Sequence, residues 1–233
     1  MDSKKDRILF DDQYSLREEP VVSDVKTDVD LERMFQRLRS AKLSPEEHAE
    51  QVMDALLLLK EEFTKIGASY YDDVSAMYPQ LTDTYIVRRD DISRVSLGLV
   101  SGDGFDIDYL KADNFGKTYG NCVEWSYKSG ARGLSLAFTE GLASVAGVVS
   151  VMGIKPRIGL QAEKLTEPDS NQHGTEGIFL LTVNGHVTPK DVKFLVLRFP
   201  LDFMPEEELT PSELLAIDED RAPKHVFRGF IFP

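Results

Sequence analysis

Residues 113–120, DNFGKTYG, place a lysine and a threonine directly behind a glycine, as at the end of a phosphate-binding loop. Such a loop needs Gly-x-x-x-x-Gly-Lys-Ser/Thr, because its first glycine lets successive backbone N–H groups converge on the anion. Five residues before Gly116 stands Lys111, and the preceding DYLKAD is polar where a buried strand is required. Lys117 and Thr118 are therefore read as loop residues. In SGDGFDID (101–108), Gly102 and Gly104 are followed by Ile107 where a dinucleotide fingerprint needs its third glycine. Asp103, Asp106, Asp108 and Asp113 have the oxygen chemistry for calcium. Phe105 and Asn114, however, occupy positions where an EF-hand loop needs ligands, so these are read as turn-forming aspartates.

The remaining nucleophiles and bases are scattered. His48, His173, His186 and His225 have no metal-ligand spacing, and no Gly-x-Ser-x-Gly elbow is present. Cys122 has no base beside it in sequence and is read as a buried thiol. As the one cysteine of the chain it forms no internal disulfide. The start, MDSKKDRILFDD, lacks an apolar signal core; both observations point to a reducing, cytoplasmic compartment.

The chain has 233 residues, 42% of them hydrophobic, enough for one compact core. Its net charge is −13, from 40 acidic against 27 basic residues, a field that repels a phosphate backbone and predicts no nucleic-acid partner. GLASVAGVVSVMG (141–153) is too short for the roughly 20 residues of a membrane helix, so no membrane association is expected.

The elements that must position any site fall in two blocks. Residues 1–30 read as an acidic, loosely ordered arm. Residues 31–79 read as a helical segment, with Leu31, Met34, Phe35 and Leu38 at helical spacing. Ser44, Pro45 and Glu47 make a capping box with proline at the first helical position, opening a helix that ends near Gly67. A further short helix is expected over about 68–78, before Pro79. This segment is also where a protein partner is expected to bind. Residues 80–233 read as a sheet domain that forms one unit with 31–79. Strands are expected at 84–89, 94–100, 133–138, 157–165, 177–183, 191–199 and 225–232, with a buried apolar helix over 139–152 and a short acidic helix opened by Thr210, Pro211 and Glu213. Helices ahead of a late run of strands predict an α+β fold with a mainly antiparallel, split sheet.

One larger pattern points to function. VSLGLVSGDGFD (95–106) is followed by GLSLAFTEGLASVAG (133–147), then RIGLQAEKL (157–165) and TEGIFLLTVNGHVTPKDVKFLVL (175–197). In this order the pieces resemble the ADP-ribosyltransferase fold family over about residues 84–199. The resemblance implies a split α+β sheet with NAD in its cleft as substrate. Glu176 would be the family's catalytic glutamate, with Glu163, in Gln161-Ala162-Glu163, as its rival. A carboxylate on the ribose hydroxyls would stabilise the oxocarbenium charge that grows as nicotinamide leaves. Ser135 and Thr139 would hold the nicotinamide ribose. Leu97 stands where the family has a polar anchor, and Arg94 is the nearby cation for the dinucleotide, with Arg88 and Arg132 as further arginines able to converge. Two other readings stay open: a member of this fold that binds without chemistry, and an unrelated acidic α+β interaction protein.

Overall fold

A computed structural model describes residues 25–40, 43–107, 122–126, 144–145, 147–156, 161–164 and 180–233. Two helices lead. α1 (Val25–Ser40) buries Leu31, Phe35 and Leu38, one side of its helical period, and starts earlier than residue 31. α2 (Pro45–Lys65) opens on the expected capping box: Glu47 N donates to Ser44 Oγ at 3.2 Å and Ser44 N to Glu47 Oε2 at 2.9 Å. It buries Val52, Leu56, Leu59 and Phe63 and gives way at Gly67.

Among the described residues ten strands follow: β1 (Ser69–Tyr71), β2 (Thr84–Asp90), β3 (Phe105–Ile107), β4 (Cys122–Ser126), β5 (Ser144–Val145), β6 (Val148–Ile154), β7 (Gln161–Lys164), β8 (Leu180–Val187), β9 (Val192–Pro200) and β10 (His225–Ile231). They join in the order β1-β10-β9-β6-β2-β4-β8-β3, with β5 beside β6 and β7 beside β8. Every described pairing is antiparallel. Helices followed by an antiparallel sheet make the fold α+β, as the sequence order implies. One apolar cluster runs from α1 and α2 into the sheet through Ile86, Met152, Leu195, Leu197 and Phe230. A second, built on Met77, Leu81, Tyr85, Val151 and Phe194, covers the opposite face.

Three local expectations are corrected. Residues 94–100 are not a strand but lie in α3 (Ile92–Ser101). Val95, Leu97 and Leu99 alternate as a strand would, yet Ile92, Val95 and Leu99 also share a helical stripe. Asp91 decides between them, because its carboxylate caps the backbone N–H groups of Ser93 (2.8 Å) and Arg94 (3.4 Å). Gly98 allows the helix to touch the next turn: a Cβ there would sit 2.4 Å from the Gly104 carbonyl oxygen. The apolar segment expected as a helix over 139–152 is, in its described part, the β5–β6 hairpin. All seven residues of β6 are buried, and a strand covered on both faces shows no alternation to tell it from a buried helix. Residues 68–78 form β1 and the first of two 3₁₀ turns (Val74–Ala76, Tyr78–Gln80) in place of a helix. Tyr70 pairs with Phe230, ring centroids 5.2 Å apart, so the aromatic fit to β10 wins over helix propensity.

The long connection from β9 to β10 carries α4 (Pro211–Asp218), which has no buried residue of its own. Arg228, 0% exposed on β10, holds it in place. Its guanidinium donates to both oxygens of Glu213, at 2.9 and 3.0 Å, and to the carbonyls of Glu208 (2.7 Å), Phe227 (2.8 Å) and Asp72 (3.2 Å). Glu213 also accepts from Thr210 N at 2.9 Å, so one carboxylate caps the helix and anchors it to the sheet. Burial beside this cluster pushes the Tyr70 phenol up to about 12.

Replacing Arg228 by Met strands the Glu213 carboxylate, and we expect a loss of about 3–5 kcal/mol, read by chemical denaturation; a loss under 1 kcal/mol would show the pair to be dispensable. At the sheet centre, a Cβ on Gly153 would sit 2.0 Å from the Phe194 ring. Gly153→Ala should therefore cost about 1–3 kcal/mol, and Phe194→Leu in the same chain should recover part of it in a double-mutant cycle.

Candidate functional site

The polar groups of the sheet concentrate where β2 runs into α3. Arg88 and Asp90 point to the helix-covered side, both nearly excluded from solvent, with Arg88 Nε 2.9 Å from Asp90 Oδ2. Arg94, one turn into α3, donates from Nε to Asp90 Oδ1 at 3.1 Å and from Nη2 to Asp90 Oδ2. Its remaining Nη1 donates to the Asp106 carbonyl at 2.5 Å. Ser150 on β6 donates its hydroxyl to the Asp90 carbonyl. One carboxylate thus holds two guanidinium groups, and Arg94 ties α3 to β3.

Asp91, the next residue, faces the other way. Its Oδ2 accepts from Arg39 Nη2 of α1 at 2.6 Å, and Arg39 also reaches the Ser93 hydroxyl. Burial pushes the Asp91 carboxyl up, but hydrogen bonds from Ser93 and Arg39 outweigh it and leave the group below the usual aspartate range.

Across β3, His186 of β8 stands in register with Asp106. Its Nδ1 lies 2.8 Å from Asp106 Oδ1 and its Nε2 2.8 Å from the Asp103 carbonyl oxygen. An imidazole–carboxylate pair is the usual frame of a general base, which needs its second nitrogen directed at the substrate. Here that nitrogen is bound to backbone, so the pair clasps the 102–107 turn. An imidazole between two acceptors donates to both only in its doubly protonated form. Among the described residues no group of three His, Cys, Asp or Glu is placed to hold a metal ion. Asp103 and Asp106 belong to this clasp, and Asp108 and Asp113 lie outside the described residues.

Of the residues implied by the resemblance, Ser135, Thr139 and Glu176 lie outside the described residues, as do Arg132 and Gly116, Lys117 and Thr118. Glu163 is on β7, in register with Thr182 of β8. Arg94 is on a helix and not on a strand, with its guanidinium held by Asp90 and the Asp106 carbonyl. Cys122 opens β4 opposite Leu181.

Two cavities bear on ligand binding. An apolar one of about 20 Å³ lies between the helices and the sheet, lined by Phe35, Leu56, Leu59, Ile92 and Leu197 among others. It is the size of one water molecule and too small for an organic ligand. The other is an open groove of about 480 Å³ between α1 and α2, lined by Asp30, Arg33, Met34 and Arg37 on one side and Glu50, Gln51 and Asp54 on the other. Of these residues the sequence singles out only Met34, as an apolar position at helical spacing, although Asp30, Arg33, Met34 and Arg37 at i, i+3, i+4 and i+7 mark one flank of α1. Just outside it, Leu57 is 49% exposed on the stripe that carries Glu50 and Asp54. No described helix is long and apolar enough to cross a membrane. Compared with known proteins, the chain matches no family model, no curated protein and no solved structure.

Because the Asp91 carboxyl is depressed, its contribution is complete above the ordinary aspartate range and fades as pH falls from about 4 through the lower folded value. The protection of the amides at the start of α3, measured against an unfolded chain at the same pH, should therefore fall below about pH 4 in the native chain. In Arg39→Ala it should already be lower at neutral pH and change less on acidification. Equal exchange in the two chains would remove Arg39 from the junction.

Proposed function

We propose that this protein is a non-catalytic α+β binding module whose contact surface is the outer face of α1 and α2. The observation that carries this reading is the contrast between its two sets of charges. Arg88 and Arg94, the described arginines that the resemblance would turn to the dinucleotide, are engaged by Asp90 inside the fold. Arg37, Glu50 and Asp54 line an open groove and make no hydrogen bond or ion pair among the described residues. Charges committed inward stabilise a fold; charges held outward on a rigid helix pair are free to meet a partner.

The competing proposal, cleavage of NAD with Glu176 or Glu163 on the ribose, makes the opposite prediction in one experiment. At a concentration about 100-fold above its dissociation constant, NAD would add roughly 2.7 kcal/mol to the stability of a chain that binds it. We expect the melting temperature to be unchanged in millimolar NAD and no nicotinamide to be released. A clear shift with release of nicotinamide would overturn the non-catalytic reading, and loss of release in Glu176→Gln would then assign the carboxylate.

A further inference from the structure

Resting on that reading of the helical face, we propose that its partner is a second copy of this chain, docked about a two-fold axis running along the α1–α2 groove. The groove has walls of opposite sign. α1 presents Arg33 and Arg37, with Asp30 one turn before Arg33, and α2 presents Glu50 and Asp54. Arg33 reaches Asp30 at 3.5 Å, but Arg37, Glu50 and Asp54 have no ion-pair partner among the described residues, so the walls do not neutralise one another within one copy.

A two-fold axis along the groove exchanges the walls. It lays α1 of one copy over α2 of the other, so the arginines of each copy meet the carboxylates of its partner, and every contact is made twice. The two helices are joined by the short connection 41–44 and already pack side by side. Doubling them gives a four-helix arrangement, a common way for a helix pair to cover its outer side. Met34, half-buried in the groove, supplies apolar contact at the axis, and Leu57, half-exposed beside it, adds apolar contact on the flank.

The area is adequate. At 1.5 Å per residue the 16 residues of α1 span about 24 Å and the 21 of α2 about 31 Å, each about 10 Å wide. Such a face buries about 550 Å² per copy, about 1,100 Å² in all, just above the roughly 1,000 Å² a specific interface needs. The net charge of −13 on each copy opposes association, but that repulsion is screened beyond about 8 Å at physiological ionic strength. Contacts at the groove act within that distance. Stacking α1 on α1, or α2 on α2, would instead set like charges together, which fixes the orientation.

The test is sedimentation equilibrium of the full chain at about 0.15 M salt, with two surface variants. Arg33→Glu with Arg37→Glu makes both walls acidic, and Glu50→Lys with Asp54→Lys makes both basic. We expect the native chain to dimerise, each variant alone to associate about tenfold or more weakly, and an equimolar mixture of the two to form a heterodimer. The proposal fails if the native chain stays monomeric at about 100 μM. It also fails if either variant dimerises like the native chain, or if the mixture does not associate while both variants melt as folded proteins. None of these results touches the NAD experiment, so either reading can fall alone.

Discussion

Two adjacent carboxylates at the exit of β2 hold the layers of this protein together. Asp90 turns inward and binds Arg88 of its own strand and Arg94 of the following helix. Asp91 turns outward, caps α3 and binds Arg39 of α1. The sheet, the helix that leaves it and the helix that covers it are therefore fixed through one dipeptide. Loss of Asp90 would take the one carboxylate away from two guanidinium groups, and for the buried Arg88 pair that penalty exceeds the net gain of forming it.

Much of the architecture was legible in the sequence, and the misses have physical causes. The capping boxes at Ser44 and Thr210 gave the starts of two helices, because three-residue spacing to a glutamate is a local rule with a local cause. The strands after residue 180 were readable from apolar and β-branched runs between turn residues. β6 was misread because VVSVMGI is buried on both faces, and periodicity vanishes when nothing faces water. α3 was misread because its apolar residues satisfy two periods at once, and Asp91 was not recognised as its cap. β1 depends on β10, more than half the chain away, and no window of sequence contains that contact.

The candidate site was less legible for a related reason. Arg94 was identified as a cation, but whether a cation is available depends on which carboxylate reaches it in three dimensions. Here that carboxylate is Asp90, the last residue of the preceding strand. The groove charges were passed over because exposed ions on helices are commonplace. Their meaning lies in the separation of sign between two helices, a property of the pair and not of either alone.

The strand order has a consequence for how the molecule is made. β1 lies at the sheet's margin against β10, and β10 leans on β9, so the first strand synthesised waits for the last. A growing chain has α1 and α2 formed long before the layer they cover exists, and their apolar sides lie open for that interval. Such a topology, dominated by pairings distant along the chain, belongs to slow folders that benefit from a chaperone while translation finishes.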